Sequence, residues 1–418
     1  MTDAHASTAA PATEPVTAQA AFSAPPLLKI VGIGMFVVGV ILFLLSFAVS
    51  REVAFSGWLI GSWYSLGFAL FASWLLAINA LASGGWAATI KRVPEAMTRY
   101  FPVAILPFAV LAVGMYASEL YDWAHPHEGG GAHAELIHKK EPWLNPTFWL
   151  ARMLVYFAIW NGFTWVMVKL SRKQDVDGDV KHSWNIRKIA APFCVFFGLS
   201  VTFASIDYIK SIEPTWFSTM FGVYQFAGIV QSGFAMLILL LLALRNSGHL
   251  KGTVNENHFH TLGIWLISTS VFWAYIWFCQ FLLIWYSNMP EETQHYFVRW
   301  NGPWFWFSFI LNPLLNFAIP FIILLPRPHK RNLKILAGVS LVVLVGRFVD
   351  LWQFVTPRPV LQNELPTATL TPWQTIISVG PVIALIGLFI VVVMWALERA
   401  PISATKDPFF EEGVHHHL

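Results

Sequence analysis

The sequence predicts an all-α, polytopic membrane protein with about ten transmembrane helices. Of its 418 residues, 56% are hydrophobic and only 12% are charged, and tryptophan and phenylalanine occupy 21 and 35 positions. A soluble domain of this length would expose far more charge. Ten apolar stretches are each long enough for a membrane-spanning helix, which needs about 20 residues to cross the hydrocarbon core. Together these observations exclude an ordinary soluble fold.

The ten predicted spans follow one another through mostly short polar connections. Trp58, Trp143 and Trp300 lie near span ends, as expected for the aromatic belt of a membrane protein. Prolines occur inside the third and eighth spans, and kinked helices that are surrounded by other helices tolerate them. The predicted spans are residues 27–49, 58–82, 100–121, 147–170, 186–209, 215–244, 261–286, 300–325, 333–354 and 373–397.

Basic residues are concentrated around the even-numbered loops. The odd-numbered loops contain few of them, so the positive-inside rule places the even loops and both termini in the cytoplasm. The basic residues that determine this orientation are Lys91, Arg92, Arg99, Lys169, Arg172, Lys173, Lys181, Arg187, Lys188, Arg245, Lys251, Arg327, Lys330, Arg331 and Lys334.

The two ends of the chain are predicted to lie outside the membrane domain. Residues 1–26 are rich in Ala, Pro and Thr and have no basic start before an apolar core. We therefore expect a disordered cytoplasmic tail there and not a signal peptide. Residues 27–397 would form the ten-helix membrane domain, and residues 398–418 a cytoplasmic C-terminal tail.

A weak internal repeat relates the fifth span to the ninth. Similar segments, residues 185–190 and 332–337, open these two spans, and Asp207 and Asp350 lie near their outer ends. An offset of four spans preserves orientation, which indicates two parallel four-helix bundles plus two flanking helices. Chance similarity between apolar helices is the alternative explanation. The bundles would comprise approximately residues 58–209 and 215–354.

The chain has only two cysteines, Cys194 and Cys279, and both lie inside apolar stretches. This count excludes a disulfide framework, a cysteine-ligated iron–sulfur cluster and a C-x-x-C-H haem attachment site. If the protein takes part in electron transfer, we expect the covalent or cluster carriers on other chains. The formal net charge of +3 does not indicate nucleic-acid binding.

The most informative apolar stretch, residues 203–216, is interrupted by three ionisable side chains at the outer edge of the membrane. Asp207 and Lys210 are three residues apart and would share a helix face, so they can pair. Pro214 directly follows Glu213 and predicts a tight turn. Ionisable groups at membrane depth indicate a functional site with a partner nearby. Two interpretations remain open: an ion pair that only staples two helices, and a site of proton release or quinol contact.

Further polar residues occur at the outer ends of other spans. Tyr116, Glu119 and Asp122 recur every three residues and could form one polar stripe, and Gln280 precedes the acidic residues Glu291 and Glu292. Several acids on one side of the membrane resemble a proton exit. For the last acidic pair, a solvated loop is the alternative.

Polar residues near the middle of the membrane are sparse. Gln225 in the sixth span, together with Ser268 and Tyr275 on one face of the seventh, are the best candidates. Hydroxyl and amide groups can hold a water chain without a permanent charge, and ordinary contact between helices is the alternative. His260, nearer the cytoplasm, would begin such a path or simply lie at the interface.

The third loop contains four histidines between His125 and His138, with a run of glycines between them. Their irregular spacing fits no tetrahedral metal site. We therefore expect this loop to dock a partner, and no metal site is predicted there or at His415–His417.

Three segments together resemble one known family. They are residues 207–222 (DYIKSIEPTWFSTMFG), 273–292 (WAYIWFCQFLLIWYSNMPEE) and 143–175. On these segments the chain resembles the ActF-type membrane subunit of alternative complex III, a bacterial quinol:cytochrome c oxidoreductase, within the NrfD/polysulfide-reductase membrane-subunit superfamily. The resemblance covers spans three to eight closely and the ten-span layout in outline. Tyr208 and Lys210 depart from the family pattern D-W-x-M-S-L, so Asp207 is not carried over as a lone buried acid.

This resemblance implies a subunit that works among others in the bacterial cytoplasmic membrane. The implied partners are a sister NrfD-like membrane subunit, an iron–sulfur subunit and a multihaem cytochrome c subunit, which would carry the clusters and haem c. This chain would hold no cofactor covalently or through cysteines, and quinol is the ligand it would contact.

The expected role is to help conduct protons while the complex oxidises quinol. Asp207, Glu119 and Asp122 would act on the outer side, and Tyr275 and Gln225 along the path. Three alternatives stay open: a quinol-binding subunit in which Asp207 accepts the quinol proton, a secondary transporter, and a purely structural anchor. A quinol pocket would be lined by Trp216, Phe217 and Tyr224.

Overall fold

The structure, a computed structural model, describes residues 22–125, 132–357, 359–362, 365–368 and 370–417. Within these residues, ten helices are long and apolar enough to span a membrane, which confirms the predicted class of all-α polytopic membrane protein. The helices are α1 (Pro26–Ser46), α2 (Arg51–Ala82), α3 (Arg92–Ala117), α4 (Pro146–Asp177), α5 (Lys181–Ile212), α6 (Phe221–Asn246), α7 (Glu256–Ser287), α8 (Trp306–Leu324), α9 (Leu333–Val355) and α10 (Pro372–Leu397).

Shorter elements occupy the connections between the spanning helices. The helix Ala132–Lys140 precedes α4, the helix Pro290–Trp300 precedes α8, and the helix Phe410–Val414 lies near the C-terminus. The connection from α9 to α10 contains a two-stranded antiparallel hairpin, β1 (Pro359–Gln362) and β2 (Leu365–Ala368).

Asparagine side chains fix the start of several spanning helices. At the start of α4, the backbone N–H of Phe148 donates to the Asn145 side chain at 2.8 Å, and Asn332 caps α9 in the same way. Such a cap satisfies an N–H group that has no partner inside the helix. Both helices therefore begin within one residue of the positions predicted from the sequence.

Other helix ends differ from the prediction. Helix α2 begins seven residues earlier than expected, at Arg51, because a helix continues past the apolar stretch that hydropathy detects. The predicted eighth span, residues 300–325, is interrupted at Gly302, whose φ of 76° favours glycine. Helix α8 thus starts only at Trp306, and it is wound as a π-helix on both sides of Pro313.

The ten helices form two four-helix bundles and a flanking pair. Helices α2 to α5 make the first bundle and α6 to α9 the second; in each, the first helix packs against both the second and the fourth. Helix α2 lies at the centre of the molecule, where it contacts α5, α6, α9 and α10 in addition to α3.

Helices α1 and α10 flank the bundles and pack closely on each other. A side chain at Gly39 in α1 would overlap the backbone of Ala384, and one at Gly387 in α10 would lie 2.5 Å from the carbonyl oxygen of Gly32. Small residues allow helix backbones to approach in this way within a membrane. Apart from this contact, α1 is largely exposed on the outside of the molecule.

The start of α1 and the end of α10 lie together at one face of the molecule, which we call the terminal face; the other is the far face. The Ala24 backbone N–H donates to Glu398 at 3.1 Å, and Lys29 forms a salt bridge with Glu398 at 2.6 Å. Most of the predicted disordered tail, residues 1–21, lies outside the described residues.

The C-terminal residues fold back onto the terminal face. Asp407 pairs with Lys91 at 2.7 Å, and the amides of Asn255 and Asn257 donate to the carbonyl oxygen of His416. This segment therefore joins the loop before α3 to the start of α7, and so connects the two bundles.

Candidate functional site

The first candidate site lies near the far face, where α4 begins and α5 ends. The Asp207 carboxylate is buried, with 1% of its surface exposed. The Arg152 guanidinium donates to both carboxylate oxygens, through Nε at 2.8 Å and Nη2 at 2.9 Å. The Tyr156 hydroxyl donates to Oδ2 at 2.7 Å, and the Trp143 indole donates to Oδ1 at 3.0 Å. We call Arg152, Asp207 and Tyr156 the first triad.

Asp207 thus pairs with Arg152 and not with Lys210, the partner that helix spacing allowed. The regular α-helical part of α5 ends at Tyr208, so Lys210 falls in the following 3₁₀ turn and leaves the face on which Asp207 lies. The Arg152 guanidinium also lies 4.4 Å from the ring centres of Trp143 and Phe148. Aromatic rings over a guanidinium stabilise its charge and shield it from lipid.

The second candidate site is the counterpart of the first in the other bundle. Asp350 in α9 is fully buried, and Arg347, one turn earlier in the same helix, donates to its Oδ2 at 2.6 Å. The Tyr224 hydroxyl and the Asn312 amide both donate to Oδ1, the latter at 3.2 Å. We call Arg347, Asp350 and Tyr224 the second triad.

A chain of amides extends from the second triad toward the middle of the membrane. The Asn316 side chain donates to the side-chain oxygen of Asn312 at 2.7 Å. The Gln231 side chain donates to the backbone carbonyl oxygen of Asn316 and to the Ser270 hydroxyl, the latter at 2.9 Å. Gln231 lies seven residues after Tyr224 in α6, which is about 10 Å along the helix. This amide chain, Asn312–Asn316–Gln231–Ser270, is buried throughout its length.

Glycines make room for these polar groups between the helices. A side chain at Gly228 in α6 would overlap the Arg347 guanidinium, and one at Gly346 in α9 would lie 2.8 Å from the amide oxygen of Asn316. The π-helical turns of α8 lie on either side of Asn312. Such turns are rare, and they occur frequently at functional sites.

The two triads are connected across the interface between the bundles. Tyr208, next to Asp207, packs edge-on against Trp63 with ring centres 5.7 Å apart. The Trp63 indole donates to Gln225 Oε1 at 3.1 Å, and the same oxygen accepts from Arg347 at 2.7 Å. Gln225 is therefore fully buried and central, although α6 begins at Phe221 and places it one turn from the far-face end and not at mid-membrane.

Several buried polar atoms beside the triads have no hydrogen-bond partner among the described residues. They are Nε2 of Gln225, the hydroxyl of Tyr208, Oδ1 of Asn316 and Nε1 of Trp273. Buried polar atoms are normally hydrogen-bonded, to ordered water where protein partners are missing. Water is therefore expected along the line from Tyr208 to Ser270.

A third cluster of buried charges caps the second bundle on the far face. Glu213 accepts from His295 at 2.7 Å and from Arg299 at 2.9 Å, and Arg299 also donates to the carbonyl oxygens of Gln353 and Phe354. Phe354 packs against Tyr224 of the second triad on one side and His295 on the other, so a single ring separates the triad from this cluster.

Electrostatics in the cap determine which of its groups is charged. Burial would raise the pKa of Glu213, but His295 and Arg299 outweigh burial and lower it to about 2. Burial, and then the charge of Arg299, lower the pKa of His295 to about 4. At neutral pH His295 is therefore uncharged, and Arg299 supplies the positive charge that balances Glu213. His295 Nε2 has no partner among the described residues and is available to accept a proton.

Two mid-membrane candidates point away from this network. Tyr275 is 62% exposed, and Ser268, on the same face of α7, is exposed as well. The buried face of α7 instead presents Ser270, Trp273 and Gln280. The predicted path along Ser268 and Tyr275 is therefore wrong as a path through the interior, because both side chains lie on the outer surface of the second bundle.

The predicted stripe at the end of α3 is not helical. The helix ends at Ala117 and Ser118 is extended, with φ −146° and ψ 158°, so Glu119 and Asp122 no longer follow the helical repeat from Tyr116. Tyr116 and Glu119 are exposed on the far face. The three residues thus share a face of the molecule but do not form one stripe.

The remaining predicted residues lie in separate places. Gln280 is buried and donates to the Tyr296 hydroxyl, and buried His260 lies near the terminal face with no partner for Nδ1 among the described residues. The three residues of the predicted quinol pocket have different surroundings. Trp216 stacks on His295 with centres 3.9 Å apart, Tyr224 reaches Asp350, and Phe217 faces outward.

Part of the histidine-rich loop, residues 126–131 with His127, lies outside the described residues, and His133 and His138 fall in the helix Ala132–Lys140. His125 itself contacts the Ser118 carbonyl through Nε2 at 2.9 Å. Across the part of the chain that the structure describes, no group of three or more His, Cys, Asp or Glu side chains is arranged to hold a metal ion.

The terminal face has its own buried charges, next to a cavity of about 250 Å³. Arg92 pairs with Glu95 and Asp175, and the Ser171 hydroxyl donates to Glu95 at 2.6 Å. The cavity wall is mainly apolar, with Leu75, Met167, Trp184 and Phe409, and Glu95 reaches it from one side.

Sequence reasoning missed Arg152, Arg347, Asn312, Asn316 and Glu95. The signal was present for the arginines, because a guanidinium well inside an apolar stretch requires a buried partner. For Arg152, the hairpin of α4 and α5 also places the start of one helix beside the end of the next. The asparagines had no such signal, because their position depends on the irregular winding of α8.

No protein-family model matches this sequence, and no curated protein matches it significantly.

Proposed function

We propose that this protein is an integral membrane subunit of a quinol:cytochrome c oxidoreductase, in which it conducts protons during quinol oxidation. One observation carries the proton-conducting role: the Asp350 carboxylate adjoins a buried line of hydrogen-bonded amides that runs from near the far face to Ser270, and unsatisfied polar atoms beside this line can hold the water that relays a proton. Buried ionisable groups of this kind are costly in a membrane, and they commonly mark proton relays.

The arrangement around Arg347 suggests how a proton would pass Asp350. Arg347 donates one Nη to Asp350 and the other to Gln225 Oε1. When Asp350 takes up a proton, the pair loses its attraction, but Gln225 still holds the guanidinium in place. Asp350 can therefore gain and release a proton without a large movement of Arg347.

The cap on the far face supplies the next acceptor. The Phe354 ring, which cannot itself carry a proton, lies between Tyr224 and the acceptors His295 and Glu213, so a proton that leaves Asp350 would reach them only through water beside that ring. Moving one charge across 100 mV costs about 2.3 kcal/mol, which is within reach of coupling to a redox step. In this proposal Asp350 carries the proton, and Asp207 in the first triad has a structural role.

The assignment to a redox complex is supported by the sequence resemblance described above. With it come the proposed orientation, in which the terminal face is cytoplasmic in a bacterial inner membrane, and the proposed iron–sulfur, multihaem cytochrome and sister membrane subunits. Purification from native membranes in mild detergent, followed by mass spectrometry and haem absorbance, tests this part. Co-purifying haem and iron–sulfur subunits support it; a chain that arrives alone and free of haem refutes it and favours a transporter.

The proton-conducting role is tested separately, in proteoliposomes that contain the purified complex. We expect Asp350→Asn to lower the number of protons moved per electron by at least half while quinol oxidation continues, because Asn cannot carry a proton. Asp207→Asn is the matched control and should leave the ratio unchanged in correctly assembled complex. Equal ratios in wild type and Asp350→Asn would contradict the role.

A second candidate function, quinol binding, is favoured by the apolar cavity beside Glu95. A mainly apolar pocket with the acids Glu95 and Asp407 at its wall suits a hydrophobic ring with ionisable hydroxyls. A photoreactive quinone analogue should then label peptides from residues 75–95 and 167–187. Labelling around residues 216–224 would instead favour the pocket of Trp216, Phe217 and Tyr224, with Asp207 as proton acceptor.

A further inference from the structure

A second cavity, of about 350 Å³, lies on the far face between the helix Ala132–Lys140 and the end of α5. Its walls include the apolar side chains of Leu144 and Ile206, the ring of Trp143, and three lysines, Lys139, Lys140 and Lys210. Trp143 belongs to the predicted aromatic belt, so this cavity lies at the level of the boundary between lipid and water.

The ammonium groups of Lys140 and Lys210 lie near the same aromatic ring. Both ammonium groups lie over the Phe217 ring, with Nζ of Lys140 4.2 Å and Nζ of Lys210 5.5 Å from its centre. The distance between the two Nζ atoms is therefore at most the sum of these two distances. Two like charges within this separation, and partly withdrawn from water, repel each other.

Carboxylates close to the cavity in the chain are already paired with other cations. Lys140 donates to the Pro214 carbonyl, and Lys210 has no hydrogen-bond or salt-bridge partner among the described residues. Burial lowers the pKa of Lys140, as expected for a cation without a counter-charge. Three of these acids pair with lysine or arginine: Glu135 with Lys139 at 2.9 Å, Asp207 with Arg152 at 2.8 Å and Glu213 with Arg299 at 2.9 Å, while the exposed Glu141 contacts the His138 imidazole at 2.9 Å.

We propose that this cavity binds the phosphate group of an anionic phospholipid between Lys140 and Lys210. A phosphate offers several acceptor oxygens, so it can bridge two ammonium groups and remove their repulsion. Basic pockets at the membrane boundary bind lipid headgroups in this way. The apolar wall at Leu144 and Ile206 suits the glycerol and upper acyl carbons, which a free phosphate ion lacks.

The test uses the purified full-length chain, stripped of lipid in detergent, and measures its thermal unfolding midpoint during titration. The added probes are phosphatidylglycerol, phosphatidylcholine and inorganic phosphate. We expect phosphatidylglycerol to raise the midpoint at lower concentration than either of the others. In Lys140→Gln/Lys210→Gln, the concentration needed for half of that rise should increase at least tenfold. Arg51→Gln is the control, because Arg51 is an exposed cation at the far-face start of α2 that does not line the cavity, and it should behave like wild type.

The outcomes separate the sources of the phosphate. Protection by inorganic phosphate equal to that by phosphatidylglycerol would keep the phosphate site but refute the lipid as its source. Equal protection by phosphatidylglycerol and phosphatidylcholine, or an unchanged titration in the double variant, would overturn the proposal. A carbodiimide crosslink in native membranes from Lys210 to a carboxylate of another polypeptide would also overturn it. If the double variant does not fold, Lys140→Arg/Lys210→Arg should retain selectivity for phosphatidylglycerol, and loss of selectivity in that folded variant counts against the site.

Discussion

The two bundles bury the same three kinds of side chain, arginine, aspartate and tyrosine, in different ways. In the first bundle the arginine comes from another helix: Arg152 in α4 holds Asp207 in α5 with two hydrogen bonds. In the second, Arg347 and Asp350 are one turn apart in α9 and make a single contact. A pair between helices fastens them together, whereas a pair within one helix leaves the carboxylate open to its neighbours.

The neighbours differ accordingly. At Asp207, the Trp143 indole donates the hydrogen bond to the carboxylate oxygen Oδ1, and the Trp143 ring also covers the Arg152 guanidinium. At Asp350, the Asn312 amide donates the corresponding hydrogen bond, and its side-chain oxygen accepts a hydrogen bond from Asn316, the next residue of the amide chain. Indoles only donate, but amides both donate and accept. The first triad is thus closed, and the second belongs to a chain.

The largest expected effect is on the stability of the closed triad. Arg152→Gln leaves the Asp207 carboxylate buried without a counter-charge, and we expect the free energy of unfolding to fall by about 3–5 kcal/mol. The measurement is unfolding of the purified protein in mixed micelles. Adding Asp207→Asn to Arg152→Gln removes the stranded charge and should recover most of the loss. A double variant no more stable than Arg152→Gln would show that the ion pair is not what fastens α4 to α5.

The cap on the far face should make the second bundle sensitive to acid. The pKa of His295 is about 4 when folded and near 6.5 when unfolded, so between these values the unfolded state binds the extra proton. Stability is therefore lost as the pH falls from about 6.5 to 4, by about 3 kcal/mol in total. Glu213, with a pKa of about 2, stays ionised through this window. His295→Gln should flatten the pH dependence of unfolding in the window, and an unchanged slope would contradict the assignment.

A smaller effect is expected where a glycine makes room for the second triad. Gly228→Ala pushes a methyl group into the Arg347 guanidinium, and overpacking of this kind costs about 1–3 kcal/mol. The same variant should reduce proton transfer, because Arg347 has to leave Gln225. Gly338→Ala, in α9, is the matched control, since its added methyl meets no atom within 4 Å. Equal stability and equal proton transfer in the two variants would show that the close packing of Gly228 against Arg347 affects neither property.

The smallest effect is expected on the outer face of α7. Tyr275→Phe and Ser268→Ala remove hydroxyls that do not reach the amide chain, so we expect stability changes within about 0.5 kcal/mol and an unchanged ratio of protons to electrons. Gln231→Leu, on the buried side of the network, should lower that ratio. A defect in Tyr275→Phe equal to that of Gln231→Leu would place the proton path on the outer surface.

The ten helices and their two-bundle arrangement were predicted correctly because they depend on the length of the apolar stretches, their hydropathy and the internal repeat. These properties can be read from the amino-acid sequence itself. It located Asp207, Gln225 and Glu213 because ionisable or amide groups in apolar stretches are conspicuous. It assigned the wrong partner to Asp207, since the turn at Tyr208 moves Lys210 off the helix face. It also chose the wrong face of α7, because Ser268 and Ser270 differ only in which neighbouring helices surround them.

The pairing of α1 with α10 has a consequence for how the protein is made. Among the ten helices α1 is synthesised first, yet it packs mainly on α10, which is synthesised last of the ten. At 5–20 residues per second, the roughly 330 residues between them take on the order of 20–70 s to synthesise. During that interval the glycine face of α1 rests against lipid, and a chain that stops before residue 372 leaves α1 permanently without its main packing partner.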